Sequence, residues 1–188
     1  HDLYQLSIST GELKKIRENT RRYTTWIFDN NDLLRLAIIT KENGDNELWR
    51  LGAGRKEGII YQWGLMETAY PIAFNKENNK IYFVSNKGDV DKTELYLMDV
   101  NNGKTSFVEK DPENKVDFGG LSTSEKTLEV ISTSYTDDYT RIYFKDKTFE
   151  SYYNTIKSKL GDVEISFFSA NLDESLFLIA AYSDVKPS

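Results

Sequence analysis

Residues 70–104, YPIAFNKENNKIYFVSNKGDVDKTELYLMDVNNGK, decide the fold. Three runs rich in Ile, Val, Phe and Tyr, namely YPIAF, KIYFVS and ELYLMDV, are separated by the polar stretches NKENN and NKGDVDKT. Asn102-Gly103 reads as a hairpin turn, because both residues tolerate positive φ, and KTSFVE then supplies a fourth strand. One small sheet of this kind has two faces to cover, so neighbouring copies are expected on either side.

Those copies are present. Ile27, Phe74, Leu121 and Phe168 advance in equal steps of 47, and Leu34, Ile81 and Leu128 keep the same step. A second ladder runs through Tyr4, Trp49, Tyr96 and Tyr143. Self-similarity at this period, with several short strands per unit, predicts a β-propeller blade array. Four such periods fill all 188 residues, so one domain is expected.

The expected architecture is an all-β, partial β-propeller of about four blades. Its four-stranded antiparallel sheets are joined by one amphipathic helix near 148–160. The boundaries read as a half-blade at 1–17, blades at 24–63 and 68–109, a blade plus helix at 115–160, and a half-blade at 163–183. The helix rests on Phe149, Tyr152, Tyr153, Ile156 and Leu160, which form one apolar stripe; Asp146 or Thr148 can cap its start and Gly161 its end. It replaces or follows the outer strand of its blade, and its stripe reads as a packing surface on the propeller. An open arc leaves strand edges unsatisfied, so self-association is expected. The chain opens at His1 in a strand-like pattern, which reads as a fragment or processed piece.

Charge narrows the partners. The 24 basic and 30 acidic residues are interspersed, and the net charge of −6 repels a phosphate backbone, so nucleic acid is not an expected partner. No apolar stretch approaches the roughly 20 residues that span a bilayer, so no membrane partner is expected. Cysteine is absent, which excludes disulfides and thiolate chemistry but leaves the compartment, cytoplasmic or periplasmic, open.

The residues offer no catalytic, cofactor-binding or metal-binding set. The one histidine is His1, and Gly120-Leu121-Ser122 lacks the closing glycine of a nucleophile elbow and lies on an inner strand, so a Ser-His-Asp site cannot be assembled. Asp29-Asn30-Asn31-Asp32 stands where a tight turn is needed and lacks the glycine and distal glutamate of a calcium loop. Asp137-Asp138 and the loop with Gly88, Asp89 and Asp91 read as solvated charge. Gly52-Ala53-Gly54 with Arg55 and Lys56 reads as a hairpin loop, since no helix follows to cradle a phosphate. Trp49 reads as inter-blade packing, and Trp63, before Gly64 at a blade junction, is the less constrained tryptophan.

The segments DLYQLSISTGELKKI, WIFDNNDLLRLAIITKENGDNELWRL and YPIAFNKENNKIYFVSNKGDVDKTELYLMDVNNGK, with the helix after TRIYF, resemble the propeller region of prolyl oligopeptidase-superfamily serine peptidases. The branch that looks most similar is the acylaminoacyl-peptidase and dipeptidyl-aminopeptidase-like group. The resemblance implies a non-catalytic propeller portion that gates and docks short peptide substrates. The catalytic triad would belong to a C-terminal α/β-hydrolase domain absent from these residues, so no catalytic residue carries over. The family's acidic contacts to a peptide amino terminus match no residue here. TolB-type propellers share the D-L-Y-x-x-D pattern, so a TolB-like protein-binding module is the alternative. A propeller enzyme with a carboxylate-based site is a third reading, opposed by acidic residues that fall in turns.

Overall fold

The structure, a computed structural model, describes residues 1–52 and 56–183. The chain divides into two compact units, one of His1–Asp91 with Tyr96–Phe107 and the other of Lys92–Leu95 with the chain from Val108. Strands β1 (Leu3–Leu6) and β2 (Leu13–Arg17) form a two-stranded sheet. A four-stranded sheet follows, made of β3 (Thr25–Phe28), β4 (Leu34–Thr40), β5 (Asn46–Arg50) and β6 (Gly58–Trp63) in that order. The pattern repeats in β7 (Ala69–Phe74), β8 (Lys80–Ser85), β9 (Glu94–Asp99) and β10 (Thr105–Glu109). β11 (Gly120–Thr123), β12 (Val130–Thr136) and β13 (Thr140–Phe144) make a three-stranded sheet that leads into helix α1 (Lys147–Leu160). Finally β14 (Glu164–Ala170) pairs with β15 (Phe177–Tyr182). Strands adjacent in sequence are adjacent in every sheet. This is the blade pattern of a β-propeller, as the 47-residue step predicts, and the chain is a partial one, nearly all-β with one helix among the described residues.

Local chemistry explains the repetition. Each hairpin between first and second strands is closed by the side chain of its first turn residue. Asp29 Oδ1 accepts the N–H of Asn31 and of Leu33, Asn75 Oδ1 those of Asn79 and Lys80, Ser124 Oγ that of Thr127, and Asn171 Oδ1 that of Leu176. Near its end each turn holds one residue in the left-handed region: Asp32, Asn78, Leu128 and Glu174. The turn at Asn102-Gly103 differs from a two-residue hairpin, for Gly103 alone has positive φ, 73°, and its N–H donates to the Asp99 carbonyl. The β1–β2 hairpin uses the same device, with Gly11 at φ 73° donating to Ser7.

Within the first unit, one apolar cluster fills the space between successive sheets. Leu36 and Leu48 of the first four-stranded sheet pack with Phe74, Ile81, Phe83 and Met98 of the next, and Trp63 lies among them, 7% exposed. The rings of Tyr61 and Trp63 meet Phe83 edge-on. The less constrained tryptophan is therefore core. Trp49 packs on the opposite sheet face, with Tyr23, Ala37 and Leu51.

Two steps of the repeat shift in space. Phe168, in step with the buried Phe74, is 68% exposed, because it stands at the bulge of its strand, between Phe167 and Ser169, where β7 has Ile72 between Pro71 and Ala73. Leu128, in step with Leu34 and Ile81, lies in the turn before β12 at φ 58°, not in the strand. In both places the strand register departs from the sequence step, which moves the side chain off its face.

Helix α1 is capped by Asp146, whose Oδ1 accepts the Phe149 N–H at 2.7 Å, and ends at Gly161 with φ 82°. Its buried stripe is narrower than expected. Phe149 is buried and Tyr153 and Ile156 half-buried, while Tyr152 and Leu160 face solvent. Three turns of an α-helix drift the stripe around the axis, so only the residues nearest the sheets stay covered.

Candidate functional site

The second unit holds the features that the residues singled out above do not. Asp111, between β10 and β11, is 2% exposed and receives Arg141 of β13 in a bidentate pair, at 2.7 and 3.0 Å. The N–H groups of Glu113, Lys115 and Val116 also donate to its carboxylate. The Arg141 guanidinium, helped by these donors, holds the Asp111 carboxyl far below the usual carboxylate range against the opposing effect of burial. Asp137 and Glu113 add further acidic partners to Arg141. Asp111, Glu113 and Asp137 all find a cation within the chain, in Arg141 or Lys115, which marks the group as a fastening for the inter-sheet linker.

A second polar group surrounds Glu109. Thr133 and Tyr135 of β12 donate to its Oε1 at 2.6 and 2.9 Å, and Lys145 pairs with its Oε2 at 2.6 Å. Burial would raise the Glu109 carboxyl, but these three donors outweigh it and hold the group low. Tyr135, fully buried, has its phenol pushed strongly up by burial and by the carboxylate it faces. This group too is closed on itself.

On the other face of β12 lies a half-open pocket of about 460 Å3, lined by residues of the second unit alone. Phe149 and Tyr153 of α1 and Phe167 and Phe177 of the last sheet form one wall. These rings contact one another, Phe149 and Phe167 at 4.9 Å between centroids, Phe167 and Phe177 edge-on at 5.7 Å. Ser132 and Ser134 of β12 and Ser166 of β14 contribute hydroxyls to the lining, and Glu125 and Glu174 carboxylates. Among the described residues no lysine or arginine takes part.

The cavity follows from a local change in the repeat. In the first four-stranded sheet Ile38 stands opposite Leu48, and in the three-stranded sheet Ser134 stands opposite Ile142. Leu36 and Ile38 help fill the space between sheets in the first unit. Ser132 and Ser134 take the corresponding places in β12, are too small to do so, and leave room.

The acidic and glycine-rich stretches read as turns take turn or surface positions. Asp29 is buried; besides its two backbone donors it accepts Arg35 Nη1 at 2.6 Å. Asp137 accepts the Tyr139 N–H and Arg141 Nε, while Asp138 is exposed. Gly88, at φ 90°, donates to Glu67, and Asp89 and Asp91 lie at the surface. In the stretch 52–56, Ala53, Gly54 and Arg55 lie outside the described residues. Ser122 lines the cavity from β11. Among the described residues no group of three or more His, Asp or Glu is placed to hold a metal ion. Sequence reading missed the cavity, though the hydroxyl run Ser132-Thr133-Ser134 in a second strand was the signal for it.

Comparison with known proteins adds one relative. No known family profile matches the chain. Dipeptidyl aminopeptidase BIII of Pseudoxanthomonas mexicana is 23% identical over 186 residues, which is 96% of this chain and 26% of that protein. Among solved structures, TolB from Acinetobacter baumannii aligns with a TM-score of 0.48 and 14% identity, across 76% of this chain and 34% of that one. The chain thus spans about a quarter of the peptidase it matches, and its likeness to that peptidase is distant but runs almost from end to end.

Proposed function

We propose that the chain is a propeller portion of a serine peptidase of the prolyl oligopeptidase superfamily, in its dipeptidyl-aminopeptidase-like branch. In this reading it acts through shape: it restricts entry to short peptides and docks them for an α/β-hydrolase domain carried elsewhere in the protein. The observation that carries the reading is the 23% identity to a dipeptidyl aminopeptidase over 96% of the chain. The absence of any histidine beyond His1 supports a non-catalytic role, since no general base of the required kind accompanies a serine here.

The test is twofold. The purified chain is expected to leave a chromogenic dipeptide uncleaved, and turnover that co-purifies with it through several columns would overturn the non-catalytic role. The reading frame beyond Ser188 is expected to encode G-x-S-x-G at a strand-to-helix turn. A frame that closes without one would sink the peptidase reading and return the chain to the protein-binding alternative.

A further inference from the structure

The pocket between β11–β13, α1 and β14–β15 sets an aromatic wall beside several serine hydroxyls. Serine gives up the apolar packing that Leu or Ile would supply between two sheets, and a hydroxyl there that is open to solvent is left for water or a ligand to partner. Ser132 is 6% exposed, and its Oγ makes no hydrogen bond within the described chain. Ser134 and Ser166, which line the same cavity, also have hydroxyls without an intramolecular partner among the described residues. Three hydroxyls thus meet one cavity while their own sheets leave them unused, although the opposite face of β12 partners its Thr133 and Tyr135 fully.

The lining selects the ligand's chemistry. The four rings of Phe149, Tyr153, Phe167 and Phe177 favour a flat apolar body, which aromatic surfaces hold edge-on or offset. The serine hydroxyls both donate and accept, so they suit a group that does the same. With Glu125 and Glu174 in the lining and no cation among the described residues there, an anion would be repelled. The volume of about 460 Å3 lies within the roughly 300–1,000 Å3 of small-molecule sites.

We propose that this cavity binds a neutral phenol ring, its face against the aromatic wall and its hydroxyl on Ser132 with Ser134 or Ser166. Such a ring is carried both by a free phenol and by the tyrosyl side chain of a peptide, and the inference does not rest on the peptidase reading.

The test uses the whole chain, with p-cresol, toluene and benzoate titrated and followed through the NMR signals of Phe149 and Tyr153. p-Cresol is expected to bind about fivefold tighter than toluene, the effect of one net hydrogen bond, and benzoate not at all. Ser132→Ala is expected to reduce the p-cresol preference to near unity, and Ser134→Leu, which fills the space, to abolish binding of both. Should Ser132→Ala fail to fold, Ser166→Ala serves the same purpose. A blocked tripeptide with central tyrosine, set against its alanine counterpart, separates the two sources: binding of p-cresol alone assigns the site to free phenols, binding of both to peptides as well. Equal affinity for p-cresol and toluene, a preference that survives both serine variants, or unmoved Phe149 and Tyr153 signals in all titrations would overturn the proposal; the last would mean that the cavity holds only water.

Discussion

Arg141 reaches from β13 to Asp111 and forks across both its carboxylate oxygens, at 2.7 and 3.0 Å, which fastens the linker between β10 and β11 to the edge of the three-stranded sheet. Removing the carboxylate leaves the guanidinium beside Glu113 and Asp137 but orphans three backbone N–H groups. Asp111→Ala is expected to lower Tm by roughly 10 °C, as breaking a buried pair does in a chain of this size. Differential scanning calorimetry checks this, and a loss under 2 °C would show that the pair fastens little.

The same carboxyl sets an acid limit. Its folded pKa lies below its unfolded one, so its contribution is complete above the unfolded value of about 4 and is lost as pH falls toward the folded value. Asp29 is also lowered: burial would raise it, but Arg35 and two backbone N–H groups prevail. Glu57 is held low chiefly by Arg17. All these shifts have one sign, so Tm is expected to be flat with respect to carboxylates from pH 7 to about 5 and to fall steeply between about 4 and 2. Thermal melts in low-salt buffers measure the profile, and for Asp111→Ala the acid limb should be shallower.

Two glycines offer a controlled comparison. Gly11 and Gly103 share φ 73°, but a Cβ on Gly11 meets nothing within 4 Å, whereas one on Gly103 would lie 1.8 Å from the Ile60 carbonyl oxygen. Gly11→Ala should cost about 1 kcal/mol from backbone strain alone. Gly103→Ala adds a backbone collision that the chain can relieve only by moving the hairpin or β6, and should cost at least about 2 kcal/mol more. Urea unfolding of both variants gives the difference, and equal losses would refute the close approach.

Much of the fold was legible because its signals are local. Four strands per unit, the polar turns and the Asp146 and Gly161 caps are written in neighbouring residues, and the equal steps of 47 tie the units together. What escaped were shifts of strand register, as at Phe168 and Leu128, which move a side chain to another place while the 47-residue spacing stays intact. The cavity escaped for a different reason: Ser132 and Ser134 are unremarkable in a strand until the partner sheet is in place to show what they fail to fill.

Leu128 is the apolar exception among the left-handed turn residues, where the other copies have Asp32, Asn78 and Glu174. Leucine pays in Cβ–carbonyl crowding there, and asparagine tolerates the conformation better. Leu128→Asn is expected to raise stability by about 0.5 kcal/mol, measured by urea unfolding. A net loss would mean that contacts of the half-buried leucine outweigh the strain.

The two-stranded sheets predict association. Among the described residues β15 pairs only with β14 and β1 only with β2, and Leu6, Leu13, Phe168 and Leu178 on these sheets are exposed. Unpaired edges with apolar side chains invite strand addition. Sedimentation velocity is expected to show a concentration-dependent shift to larger species, reduced by Leu178→Lys. A single monomeric boundary at the highest concentration would count against it.

The side-chain locks at Asp29, Asn75, Ser124 and Asn171 each close within a few residues of where they begin. Short loops form fast, because little chain entropy is lost in shutting them. Each hairpin can therefore organise while the rest of the polypeptide is still emerging from the ribosome, and no one repeat must wait for another to begin.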